Sequence, residues 1–193
     1  MTGIATHACA CQADVFVDSA NVDGVLGVIL GRRPASTDRP RWDRVKQYIR
    51  STKKPHFVLN QRYFTDKVYS LRQALRAMGY QVDVVSEVGT FPDNDDPVDT
   101  FILIKLHEIL RSLERGESRT VAVVSHDHCY APVLTDLLRA TGSVTIVGFR
   151  EEMPAALLEL QDLGADIVDI EHDMGAFLVR LPRPRLPQYV IAS

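Results

Sequence analysis

Residues 15–21 of the chain are VFVDSAN, a run of three apolar side chains that ends at an aspartate. A short apolar run bounded by polar residues is typical of a strand buried in a parallel sheet. Because the run ends at Asp18, we expect Asp18 and Asn21 to lie just beyond the carboxyl end of this strand. Binding sites of open α/β sheets form at that end, so the stretch predicts both an architecture and the position of a site.

Apolar strand-like segments alternate with stretches of helical periodicity along the rest of the chain. Residues 24–40, which contain glycine, arginine and proline, are predicted to be a loop with a short helical piece. Strands that alternate with helices of about ten to fifteen residues predict right-handed βαβ units. We therefore expect a three-layer α/β/α fold with a mostly parallel sheet of about five or six strands. The predicted strands are residues 15–17, 56–59, 81–85, 120–124, 144–148 and 165–170.

The composition is that of an ordinary globular chain. Its 193 residues suit one domain, and its 46% hydrophobic and 24% charged residues are enough for a core and a polar surface. The net charge of −3 excludes a generally basic nucleic-acid-binding surface and argues against a membrane-surface role. We expect residues 1–13 to be a flexible N-terminal segment, residues 14–170 the folded domain and residues 171–193 a C-terminal extension.

The chain has three cysteines and no recognisable signal peptide or membrane span, which favours a reducing compartment and predicts a cytoplasmic location. Cys9 and Cys11 lie near His7, but no second Cys/His pair has matching spacing, so no zinc site is predicted there. Cys129 has no evident base beside it, which argues against a cysteine nucleophile. Phosphate-binding loops of the GxxxxGK[ST] and GxGxxG types and the GxSxG elbow are missing, which disfavours nucleotide binding and esterase activity.

Acidic residues are expected at two strand ends and one helix start. Asp18 follows the first strand, Asp127 follows the fourth, and Asp99 begins a helix after an acidic loop. Carboxylates that converge repel each other unless a cation neutralises them. Oxygen ligands of this kind suit Mg²⁺ or Mn²⁺, and such a site can activate water against a phosphodiester. Each residue also has a purely structural interpretation, as a turn, cap or helix-start residue.

Two histidines and five arginines are candidate contacts for phosphate. His126 and His128 flank Asp127 in what is predicted to be an exposed turn, where they could contact phosphate or carry protons near neutral pH. The alternative is an ordinary solvated surface. The candidate arginines are Arg32, Arg33, Arg39, Arg41 and Arg62.

The motifs at these positions resemble the NYN family, a branch of the PIN-like nucleases. VFVDSANV at residues 15–22 is similar to the family's strand ending in Asp-Gly-x-Asn, and RPRWDRV at residues 39–45 is similar to its first helix start. DPVD at residues 96–99 resembles its Lys-Gly-x-Asp segment, and VVSHDHCYAPV at residues 123–133 resembles its Ser-Gly-Asp-Ser-Asp-Phe-x-Pro motif. The family pattern continues in the strand at residues 144–148 and in LGAD at residues 163–166.

The resemblance implies a PIN-like fold and a metal-dependent endoribonuclease that hydrolyses RNA. It implies that Asp18, Asp99 and Asp127 hold Mg²⁺ or Mn²⁺. It also implies that Asn21 and Ser125 orient the carboxylates or the attacking water. The family's second motif acid, its lysine and its glycine are replaced here by Cys129, Asp96 and Ser19, respectively.

Three function classes stay open at this point. The loss of one motif acid leaves room for a family member that binds RNA or regulates without cutting. A metal-dependent phosphatase, or a phospho-acceptor domain that retains phosphate on Asp18, has less support because no helpful lysine follows the later strands. RNA is the expected partner, no membrane contact is expected, and a homodimer is one assembly that the sequence allows.

Overall fold

The computed structural model describes residues 13–51, 53–63, 66–86, 96–140 and 142–184, with the backbone alone for residues 63 and 66–68. The predicted flexible segment up to residue 12, the acidic loop at residues 87–95 and the end of the chain from residue 185 lie outside the described residues. The cluster of His7, Cys9 and Cys11 lies outside them as well.

Among the residues that the structure describes, the sheet consists of six strands, β1 (Ala13–Asp18), β2 (His56–Asn60), β3 (Gln81–Val85), β4 (Thr120–Val124), β5 (Ser143–Gly148) and β6 (Asp166–Asp169). All neighbouring strands are parallel, and their order is β3-β2-β1-β4-β5-β6. β1 lies in the centre, and the chain then runs outward to one edge and crosses back to the other side of β1 before it runs to the other edge. The direction of winding therefore reverses between β1 and β4, which is where α/β sheets open a binding crevice at their carboxyl ends.

Helices cover both faces of the sheet, which confirms the predicted three-layer α/β/α fold. Adjacent residues of a strand point to opposite faces, so Phe16 is buried in one core cluster and Val17 in the other. The first three helices pack on the face of Val17 and the last three on the face of Phe16. The helices are α1 (Ser19–Leu30), α2 (Trp42–Ile49), α3 (Asp66–Ala77), α4 (Pro97–Glu114), α5 (Ala131–Arg139) and α6 (Ala155–Leu158).

The prediction of a loop over residues 24–40 was wrong for its first part, because α1 continues to Leu30. The two glycines that suggested a loop, Gly24 and Gly27, lie inside this helix. A glycine costs a helix about 1 kcal/mol relative to alanine, but burial of an apolar stripe outweighs such a cost. Gly31, with a φ of +66°, ends the helix and donates its N–H to the Val28 carbonyl. The buried stripe consists of Val22, Leu26, Ile29 and Leu30.

The segment after β6 packs on the same face as α1, α2 and α3. Ile170 and Ala176 have no exposed surface, and Leu181 is 6% exposed. Glu171 is buried, accepts a hydrogen bond from the Leu181 N–H at 2.6 Å and pairs with Arg183. Met174, Ala176 and Leu181 thus contribute to the core, while the domain boundaries themselves stay predictions. Within the described ranges, no helix is both long enough and apolar enough to cross a membrane.

Candidate metal centre between the first and fourth strands

Asp18 lies at the carboxyl end of β1 and is almost fully buried, with 2% of its surface exposed. Its Oδ1 caps α1 by accepting a hydrogen bond from the Asn21 N–H at 3.0 Å. The pKa of Asp18 is raised to about 7, mainly by burial and also by the negative charges of Asp99 and Asp96, although the hydrogen bonds from Asn21 and Ser125 act in the opposite direction. An ionised Asp18 is therefore costly unless a positive charge lies nearby.

Ser125 connects the end of β4 to Asp18. Its hydroxyl donates to Asp18 Oδ2 at 3.1 Å and accepts from the Asp127 N–H at 3.1 Å. Asp127 in turn caps the 3₁₀ turn His128–Tyr130, where its Oδ1 accepts from the Cys129 N–H at 2.8 Å. The ends of two adjacent strands are thereby fixed to each other by side-chain hydrogen bonds rather than by the sheet alone.

Tyr130 joins Asp18 to Asp99, which lies in the first turn of α4. The ring is completely buried, and the hydroxyl lies 2.7 Å from Asp99 Oδ1 and 3.3 Å from Asp18 Oδ2. Burial raises the pKa of Tyr130 far above its usual range, and the charges of both carboxylates add to this effect. The hydroxyl consequently keeps its proton and acts as a donor between two acids.

A group of three potential metal ligands lies beside the carboxyl ends of β1 and β4, and it consists of Asp99, Asp127 and Cys129. One carboxylate oxygen of each aspartate and the Cys129 Sγ all lie within 4.8 Å of one another, and all three side chains are partly exposed. We call Asp18, Asp99, Asp127, Cys129 and Tyr130 the acidic cluster. Two carboxylates and a thiol in this arrangement fit a divalent cation, because each can offer a negatively charged ligand atom.

Burial and the hydrogen bond to Asp127 raise the pKa of the Cys129 thiol well above its usual range, and the charges of Asp99, Asp127 and Asp18 raise it further. Without a cation the thiol thus stays protonated. This agrees with the expectation that Cys129 is not a nucleophile, since the thiolate is the reactive form.

His126 is buried, and its predicted exposure was wrong. Only 4% of its surface is exposed, because its ring lies against Gly148 at the end of β5 and stacks on Phe149 with ring centroids 5.7 Å apart. Its Nε2 accepts a hydrogen bond from the Phe149 N–H at 2.6 Å. Burial lowers the pKa of His126 to about 4, and the negative charge of Asp169 acts against this shift. At neutral pH the ring is therefore uncharged and carries its proton on Nδ1.

Asn21 completes this second arrangement, which we call the histidine relay (Asn21, His126 and Phe149). Asn21 Oδ1 accepts from the His126 backbone N–H at 2.7 Å and lies 3.3 Å from His126 Nδ1. The predicted site residue Asn21 is thus fixed to the turn after β4, and it also holds Asp18 through its own N–H. His128, by contrast, is exposed as predicted.

Three of the five candidate arginines already have carboxylate partners. Arg32 pairs with Asp38 at 2.6 Å, Arg39 with Asp23 at 2.6 Å and Arg41 with Asp43 at 2.7 Å. A phosphate would have to compete with these partners, so the role of the arginines stays a prediction.

A family model of the NYN domain matches residues 12–165, which is most of the chain. The chain belongs to the NYN family, a branch of the PIN-like nucleases. No significant match among curated proteins accompanies this result. Membership in the NYN family suggests a nuclease-like function related to RNA. Proteins of this family commonly use divalent metals.

The NYN motifs coincide with the acidic cluster. The aspartate of the first-strand motif is Asp18, that of the segment before α4 is Asp99, and that of the motif after β4 is Asp127. Tyr130 was not among the predicted site residues. The NYN motif has phenylalanine at this position, and a buried tyrosine needs a partner for its hydroxyl. That substitution was the one available signal.

Proposed function

We propose that this NYN protein is a metal-dependent endoribonuclease that uses Mg²⁺ or Mn²⁺ to hydrolyse phosphodiester bonds of RNA. The observation that supports it is the convergence of Asp99 and Asp127, with Asp18 linked to Asp99 through the hydroxyl of Tyr130. When bound, a divalent cation supplies activation of water and stabilisation of the charge that develops on the phosphate.

The protein's own groups have separable roles in this proposal. Asp99 and Asp127 are partly exposed. They would hold the cation where an RNA phosphate can reach it. Asp18 is buried behind them and linked to Asp99 through Tyr130, and because burial raises its pKa to about 7, a nearby cation would favour its ionised form. Ser125 holds Asp18 Oδ2, while Asn21 holds Oδ1 through its N–H, so both residues orient the carboxylate rather than react.

The direct test uses circular single-stranded RNA, because a molecule without ends can be opened only by an endonuclease. The wild-type protein is incubated with Mn²⁺, with Mg²⁺ and with chelator, beside Asp18→Asn, Asp99→Asn and Asp127→Asn. Cleavage that needs metal and falls by about 100-fold or more in Asp127→Asn supports the proposal. Asp136→Asn is the matched control, since Asp136 is exposed on α5, where its carboxylate pairs with Arg139. Cleavage that is unchanged in all three site variants would refute it.

The alternative is an RNA-binding or regulatory module that does not cut. The observation that favours it is Cys129, which stands where the NYN motif has a second acid. Retention of circular RNA in a gel-shift assay, with no opening of the circle under any metal condition, would select this alternative. Linear RNA of the same sequence serves as the control for binding that needs ends.

The proposal places the protein in the cytoplasm, where Cys129, a free cysteine, would stay reduced. A homodimer remains a prediction from the sequence, and sedimentation of the purified protein tests it.

A further inference from the structure

We infer that Cys129 ligates the metal through its sulfur, together with Asp99 and Asp127, and that this donor set prefers a thiol-binding cation such as Zn²⁺ or Co²⁺ to Mg²⁺. The inference rests on the proposed function only in assuming a divalent cation at this site. It departs from that proposal in the identity of the ion, because Mg²⁺ takes oxygen ligands whereas thiolates select softer cations.

The ligand atoms are near enough to be gathered around one ion. Ligand atoms bound tetrahedrally to one Zn²⁺ at about 2.0–2.3 Å are about 3.3–3.8 Å apart. The three ligand atoms here already lie within 4.8 Å of one another. Small rotations of partly exposed side chains are therefore enough to bring them around one ion.

Hydrogen bonds hold the three ligands in place before any metal arrives. Asp127 Oδ1 is fixed by the Cys129 N–H at 2.8 Å, so the carboxylate and the thiol belong to one rigid turn. Asp99 Oδ1 is fixed by the Tyr130 hydroxyl at 2.7 Å. A preorganised set of this kind loses little side-chain freedom on binding.

Coordination replaces the proton on the Cys129 sulfur with the cation. The Cys129 S–H bond breaks, its proton passes to bulk water, and a bond between sulfur and the cation forms. The thiolate then supplies the negative charge that the missing motif acid would have supplied, from a softer atom. The proton released on binding is the ordinary consequence of thiolate coordination.

The test measures metal binding by optical absorption, without RNA. Co²⁺ is added to full-length protein carrying Cys9→Ser and Cys11→Ser, so that Cys129 is the remaining thiol. We expect a sulfur-to-Co²⁺ charge-transfer band that saturates at one ion per chain and disappears when Cys129→Ser is added. Zn²⁺ should displace Co²⁺ and abolish the band, whereas the same concentration of Mg²⁺ should leave it unchanged. Thermal melting in chelator checks that each variant is folded.

The companion variant is Cys129→Asp, which restores the family's acid. We expect it to lose the band and to bind Mg²⁺ about tenfold or more tightly than the parent, because affinity for hard cations rises with the number of carboxylates. A band that persists in Cys129→Ser, or no band in the parent, would overturn the inference. Equal Mg²⁺ affinity in the parent and in Cys129→Asp would also overturn it.

The two proposals fail separately. A sulfur-to-Co²⁺ band in a protein that opens no circular RNA with any cation supports the ligand role of Cys129 and removes the nuclease. Opening of circular RNA with Mg²⁺, and no band with Co²⁺, supports the nuclease and removes the ligand role.

Discussion

Two groups of side chains meet at the turn after β4 and differ in charge. The histidine relay consists of neutral hydrogen-bonding groups, whereas the acidic cluster contains three carboxylates. In the histidine relay, His126 accepts from the Phe149 N–H, and Asn21 accepts from the His126 N–H, so donors and acceptors match. In the acidic cluster, Asp18 and Asp99 share the single proton of Tyr130. Both groups are attached to the same turn after β4, yet the hydrogen bonds of the histidine relay are matched as they stand, whereas the acidic cluster needs added positive charge.

The carboxyl ends of these strands therefore combine a group of residues that stabilises the fold with a group suited to binding a cation. The histidine relay fixes α1 and β5 to the end of β4 through neutral hydrogen bonds, which are cheap to bury when they are matched. The acidic cluster keeps carboxylates together at a cost, visible in the raised pKa of Asp18. The histidine relay thus stabilises the fold, whereas the repulsion within the acidic cluster favours binding of a cation.

The largest expected effect concerns Asp18 in protein freed of metal by chelator. Its pKa is 3.8 when unperturbed and about 7 in the fold, so the folded state binds the proton more tightly. The contribution of Asp18 to stability is therefore present below about pH 4 and is lost as pH rises to about 7, by at most about 4 kcal/mol. Asp18→Asn should remove this loss and be more stable than wild type at pH 8. Urea unfolding at several pH values measures it.

The control for Asp18 is Asp136→Asn, whose exposed carboxylate should leave the pH dependence unchanged. Added Mn²⁺ should stabilise wild type at pH 8 more than Asp18→Asn, because the ion compensates the buried charge. Parallel stability curves for wild type and Asp18→Asn would contradict the proposed cost of the acidic cluster.

The next effect has the opposite sign and belongs to His126. Its pKa falls from 6.5 to about 4 on folding, so the unfolded chain binds the proton more tightly. Its contribution is present above about pH 6.5 and is lost as pH falls to about 4, by at most about 3 kcal/mol. His126→Gln, whose amide oxygen can accept from the Phe149 N–H, should lose this acid sensitivity.

The two slopes overlap between about pH 4 and 6.5 and largely cancel in the wild-type protein. Asp18→Asn should therefore reveal a loss of stability in acid, and His126→Gln should reveal a gain. If both single variants keep the wild-type curve, the contrast between the histidine relay and the acidic cluster is wrong.

A smaller effect is expected at Gly148, which makes room for the histidine relay. A Cβ there would lie 2.6 Å from His126 Nε2 and 2.9 Å from Met153 Cε. Gly148→Ala should therefore destabilise the protein by about 1–3 kcal/mol, since added atoms must displace packed neighbours. Gly24→Ala is the matched control: nothing lies within 4 Å of its Cβ position in α1, so it should stabilise by about 1 kcal/mol. Urea midpoints compare the two, and a neutral Gly148→Ala would contradict the tight fit.

The sequence predicted the parts of this site that local pattern controls. Strand ends delivered Asp18 and Asp127, and a helix start delivered Asp99, because each follows from hydrophobic periodicity and family motif. The buried state of His126 could not be predicted, since it depends on Gly148 in a strand that pairs with β4 only in the folded chain. α1 was missed for a related reason: its two glycines weaken local propensity, and only burial against the sheet restores the helix.

The smallest expected effect is at Tyr130, where Tyr130→Phe removes one oxygen and matches the NYN motif. In chelator the variant should be less stable by about 1–2 kcal/mol, because Asp99 and Asp18 lose a donor. With saturating Mn²⁺ the loss should shrink, since a cation that neutralises both carboxylates makes the donor less important. Thermal melting with and without Mn²⁺ measures the difference. A loss that is identical in both conditions would mean that Tyr130 only packs, and that its hydroxyl does not stand in for positive charge between the two acids.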